Sequence, residues 1–172
     1  MSVLNILSIA FTSIWLILLI LLHFLKSDFK PNSHTCSEYA IGKYGWLMQI
    51  AFFSMAFSYL LISINLHSVL FGIACLGWIG LGVWKADFTL QQIGEKATKQ
   101  GRLHLLFGLI AMISIDILAF VIPISYLAWF ILLSHIAFIV SMNIKKPIIF
   151  GIIQRIYILL ITFWTIIIMM KW

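Results

Sequence analysis

The chain has 172 residues, 63% of them apolar and only 9% charged, with a formal net charge of +6. Soluble globular domains use apolar residues for about half their length and charged ones for about a quarter, so this composition excludes a water-exposed fold and makes the bilayer the main solvent. With no basic helix or aromatic sheet free of the membrane, nucleic-acid binding is excluded too.

A helix needs about 20 apolar residues to cross the hydrocarbon at 1.5 Å per residue, and six runs are candidates. Their continuity argues for helices rather than barrel strands. The fold class expected is therefore all-α: one polytopic six-helix transmembrane domain over residues 1–172. The first span covers residues 3–25; with no Lys or Arg ahead of it and no small-residue cleavage site after it, it reads as a span and not a removable signal peptide. A polar, turn-rich connection follows, "KSDFKPNSHTCSEY", in which Pro31 and Asn32 break any helix. The second span covers residues 46–66, where Ser54, Ser58 and Ser63 suit hydrogen bonding between helices better than nucleophilic catalysis.

The short third span, 69–84, carries Gly72, Gly77, Gly80 and Gly82, residues that let helix backbones approach closely in lipid. It is expected at the centre of the bundle. A second long connection leads to the fourth span, 103–122, where His104, Gly108, Ala111 and Ile115 lie on one stripe that should face other helices. The fifth and sixth spans cover 126–142 and 148–170. Gln154 and Arg155 lie just inside the last, where Arg155 can snorkel outward or turn in to neutralise an acid.

Lys26, Lys30, Lys43, Lys85, Lys96, Lys99, Arg102, Lys145 and Lys146 all fall in, or at the edge of, the three odd-numbered connections, against Lys171 alone on the other side. The positive-inside rule then puts those connections in the cytoplasm and both termini outside the cell membrane. Cys36 and Cys75 are separated by a helix length, which argues against a disulfide. Two segments, "GKYGWLMQIAF" from Gly42 and "GRLHLLFGLIA" from Gly101, both run from Gly and a basic residue into an apolar helix. Such a similarity is what an internal duplication leaves.

Three segments, "SEYAIGKYG", "GVWKAD" and "TKQGRLH", resemble in order and spacing the signature segments of a bacterial six-helix membrane family catalogued as domain of unknown function 998. That family is distantly similar to the Frag1, DRAM and Sfk1 group of eukaryotic membrane proteins. Trp84 stands where the family usually has Phe, and Ala86 where a Pro is frequent. The resemblance implies a six-helix fold and, through members of the eukaryotic group, a link to lipid-anchor remodelling.

Glu38, Asp87 and His104 sit at membrane-proximal ends of the two long connections, on one side of the membrane. Carboxylates with an imidazole are a minimal general acid-base set near neutral pH: His104 as base, Asp87 orienting it, Glu38 as acid. The same residues also suit a structural clamp, with the acids paired to Lys43, Lys85 or Arg102 and His104 donating to a backbone carbonyl. A third use would be as ligands of a divalent metal. Lys43 and Arg102 are candidates to hold an anionic headgroup, since guanidinium bonds two phosphate oxygens at once; plain positive-inside anchoring would use them equally well. His23, His34 and Cys36 share that face in no zinc-binding spacing. Asp116 and His135 are intramembrane polar residues at depths within side-chain reach, and an intramembrane acid is costly unless neutralised or paired. They can form a structural pair or a proton relay; otherwise Asp116 is protonated and hydrogen-bonded to Ser114 or Ser134.

These readings give an expected function: a multi-pass membrane protein whose cytoplasmic-side polar cap binds or processes an anionic lipid headgroup. The rivals are a small proton-coupled transporter built on Asp116 and His135, and a non-enzymatic membrane scaffold. Membrane lipids are the expected partners, with a homo-oligomer or a second membrane protein also compatible; no metal or cofactor motif is present, haem needing His residues at matched depth on facing helices.

Overall fold

The computed structural model describes residues 1–86, 98–122, 125–142 and 149–172. Among these, six α-helices and one short 3-10 turn form a membrane-type bundle, and there is no strand. The helices are α1 (Val3–Leu25), α2 (Gly45–Leu66), α3 (Val69–Val83), α4 (Lys99–Val121), α5 (Ser125–Met142) and α6 (Phe150–Lys171), with the 3-10 turn Ser37–Ala40 between α1 and α2. Helices α1, α2, α4 and α6 are long and apolar enough to cross a membrane, whereas α3 and α5 are shorter apolar helices.

Local chemistry sets the helix starts. The Ser2 hydroxyl accepts from the Asn5 N–H at 3.1 Å and caps α1. Thr98 does the same for α4, accepting from Gly101 N–H at 3.3 Å, each cap satisfying an otherwise orphaned donor. Because of the Thr98 cap, Gly101 and Arg102 lie in the first turn of α4 and not in a loop above it. Gly42, by contrast, precedes α2 and holds a φ of 69°, so the two glycines of the similar segments play different roles.

The helices form a ring in chain order, each packing on the next and α6 closing back on α1. The glycines of α3 explain its tight seams. A Cβ at Gly77 would lie 2.6 Å from the Ala111 backbone nitrogen, and one at Gly80 would meet the Phe107 ring. The closest backbone approaches of α3 are therefore to α2 and α4, at a ring position and not at a bundle axis. Its large side chains reach farther: Trp78 packs edge-on to Trp15 of α1, and Phe71 stacks on Trp164 of α6.

One end of the ring, the cap face, carries the connection between α1 and α2 and the first turns of α2, α4 and α6. Toward the other end aromatic rings pack across the interior. Tyr59, Phe71 and Trp164 stack there, and the Tyr59 hydroxyl meets Thr165 at 3.1 Å. Ser8 and Thr12 of α1 bond the Ser58 hydroxyl at 2.7 and 2.8 Å. That gives Ser58 the helix-joining role expected of it, worth about 0.6 kcal/mol per bond in a membrane interior.

Candidate functional site

The interior nearer the cap face holds a cavity of about 270 Å³. Its roof is the first connection, through Thr35, Cys36 and Glu38; its far end is Trp15, Phe52 and Trp78, whose rings contact one another. On the α4–α5 side, Leu105, Leu109 and Ile139 line it while themselves exposed, so it reaches the apolar outer surface between those helices. The remaining walls are mostly apolar, with His104, His135 and Gln154 as their polar members.

The roof is held from α6. Arg155 points inward and binds the connection: its Nη1 donates to the carbonyls of Pro31, His34 and Gly151 at 2.7–2.8 Å, its Nη2 to the Tyr39 hydroxyl at 3.1 Å, and its Nε to His23 Nε2 at 2.8 Å. The Gln154 carbonyl accepts from Cys36 N–H at 2.7 Å. A Cβ at Gly151 would sit 2.4 Å from the Pro31 oxygen, so only glycine allows this approach. Arg155 thus neutralises backbone carbonyl dipoles, and His23 is consumed as its partner, with Nδ1 donating to the Leu19 carbonyl at 2.7 Å.

Glu38 is 1% exposed. Its carboxylate accepts from Thr35 N–H at 3.1 Å while its own N–H donates to the Thr35 hydroxyl at 3.3 Å, a reciprocal capping box that fixes the 3-10 turn. His104, 4% exposed, directs Nδ1 to the Trp84 carbonyl at 2.6 Å. Because a carbonyl only accepts, the proton is on Nδ1 and the orienting partner there is backbone at the end of α3. Glu38 and His104 therefore line one cavity. Burial pushes the Cys36 thiol up to about 11, so it is neutral near pH 7 and no ready nucleophile or metal ligand.

Deeper in, Asp116 and His135 are paired, Nδ1 to Oδ2. Tyr157 completes the group: its hydroxyl donates to the other carboxylate oxygen at 3.3 Å and its ring stacks on the imidazole at 4.9 Å. Ser114 and Ser134 instead bond carbonyls of their own helices. His135 is 4% exposed and lines the cavity, yet its Nε2 has no hydrogen-bond partner. The indole N–H groups of Trp15 and Trp78 are in the same condition. Of five buried polar atoms without partners among the described residues, three thus belong to side chains around this cavity, and such groups call for a ligand or water.

A family model described as "Protein of unknown function (DUF998)" matches residues 9–171. The chain belongs to the DUF998 family. The matched region takes in the cavity and all its lining residues. Neither the curated proteins nor the solved structures contain a match to this chain.

In this DUF998 protein the two basic candidates are not among the residues that line the cavity. Lys43 and Arg102 are exposed on the cap face, Lys43 over the Tyr44 ring at 4.8 Å. Asp87 lies outside the described residues, so its relation to His104 is not part of this geometry. Both cysteines are free. Sequence reasoning missed Thr35, Tyr157 and the aromatic far end. The T-x-x-E spacing of Thr35 and Glu38 was a readable signal, but nothing in the sequence singles Tyr157 out from other span aromatics.

Proposed function

We propose that this DUF998 protein binds a membrane lipid inside its bundle, admitting it between α4 and α5 and holding its headgroup at the cap face. The observation that carries this reading is the continuity of a mostly apolar internal cavity with the lipid-facing surface at Leu105, Leu109 and Ile139. Apolar walls with a few placed polar groups are the usual anatomy of a small-molecule site, and the mouth faces acyl chains, not water. Lys43, Arg102 and Lys99 on the cap face supply the positive field an anionic headgroup needs. The excess of Lys and Arg there supports a cytoplasmic cap and outward termini.

The packed aromatic layers beyond Trp15, Phe52 and Trp78 favour a one-ended pocket over a conduit, and so favour binding over transport. Blocking the mouth tests the reading. Native mass spectrometry of the purified protein should find retained phospholipid. Leu109→Trp at the rim, where exposure makes the change cheap for folding, and Gly108→Phe on the wall should each lower retention about tenfold or more, equivalent to about 1.4 kcal/mol. Unchanged retention in both variants, with the fold intact, would dismiss the cavity as the lipid site.

A further inference from the structure

The polar atoms around the inner part of the cavity share one character. Indole N–H only donates, and Trp15 and Trp78 each bring one without a partner. His135 adds a third nitrogen, and proton counting settles its sense. With Asp116 Oδ2 and His135 Nδ1 bonded to each other, one proton lies between them in any stable state. A net neutral pair carries two protons, and because Asp116 Oδ1 already accepts from the Tyr157 hydroxyl, the second sits on Nε2 whether the pair is written as acid with imidazole or carboxylate with imidazolium. With Oδ1 so occupied, only the net negative pair leaves Nε2 bare, and an uncompensated charge inside the bundle is the costly alternative. Nε2 is therefore an N–H donor.

We infer that Trp15, Trp78 and His135 form a donor-only subsite for a carbonyl oxygen, so that the bound lipid is an ester-linked acyl lipid whose carbonyl receives His135 Nε2–H. This rests on the lipid-binding reading and adds the linkage chemistry to it. His135 lies seven residues from the cap end of α5, about 10 Å down at 1.5 Å per residue. At that depth a polar lipid atom is linkage and not headgroup. Glu38, by contrast, presents its acceptor carboxylate in the roof.

The test compares two probes in the full-length detergent-purified protein: a diacyl phospholipid and the dialkyl ether phospholipid of the same headgroup and chain length, which lacks both carbonyls. Competition by native mass spectrometry should favour the diester about fivefold in the wild type, the equivalent of one net hydrogen bond. His135→Phe should abolish the preference while still binding the diether lipid, and His135→Gln, which keeps an N–H donor, should restore part of it. In the unsubstituted protein, ¹⁵N shifts of His135 should report a protonated Nε2. Equal binding of the two lipids by the wild type, an undiminished preference in His135→Phe, or a bare Nε2 would each overturn the inference. If Leu109→Trp lowers binding of both lipids equally, the cavity site stands even when the linkage preference fails.

Discussion

Arg155→Ala should lower the unfolding free energy by about 2–4 kcal/mol in detergent, because hydrogen bonds to a charged donor are worth about 1.5–3 kcal/mol each and several share one side chain. The loss has a specific place. The guanidinium spans the carbonyls of Pro31, His34 and Gly151, the Tyr39 hydroxyl and His23. Removing it leaves these acceptors facing one another under the first connection. Arg155→Lys should recover only a minor part, since an ammonium presents one compact charge where the planar guanidinium directs N–H groups to five acceptors. Thermal unfolding gives the size of the effect, and trypsin the location: cleavage at Lys26 and Lys30 should accelerate in Arg155→Ala while cleavage at Lys171 does not. An unaltered midpoint together with an unaltered cleavage pattern would mean that Arg155 does not fasten the roof.

Asp116→Ala should cost about 3 kcal/mol, chiefly by stranding the buried His135 imidazole and the Tyr157 hydroxyl. The double substitution Asp116→Leu with His135→Phe should cost clearly less than the single one, because the apolar pair strands no imidazole and leaves the Tyr157 hydroxyl its bond to the Met112 carbonyl. That inversion separates a coupled pair from two independent residues. Chemical unfolding of the wild type, Asp116→Leu, His135→Phe and the double variant measures it; additive losses in the double variant would show that the two side chains act separately.

Much of the architecture was legible in the sequence because a bilayer admits few solutions: continuous apolar runs must be helices, and short turns must join neighbours. The small-residue face of α3 was readable for the same reason, although a ring seam and a bundle axis ask for the same glycines. The start of α4 was less visible. Its first turn, Lys99 to Arg102, is polar and looks like connection until Thr98 is recognised as its cap. At the site, Asp116 announced its need for a partner by its chemistry alone. Glu38 and His104 were legible as residues of one face, the T-x-x-E spacing marks the pairing of Glu38 with Thr35, and His104 donating to a backbone carbonyl was one expected role; that the carbonyl is Trp84's was not legible, since every residue offers one. The cavity itself was illegible. It is a space bounded by all six helices and the first connection, and no local pattern encodes a space.

The account stands on lipid occupying that space, and photolabelling asks this most directly. A phospholipid carrying a diazirine in its acyl chain, incorporated into vesicles with the protein and irradiated, should give adducts on Phe138, Ile158 and Ile161. These residues line the cavity and are buried from the outer surface. Outward-facing Trp129, Leu133 and Phe163 will be labelled by any bilayer lipid and serve as the reference. Cavity adducts that disappear in Leu109→Trp are the expected result; labelling confined to the outer reference residues would contradict the account.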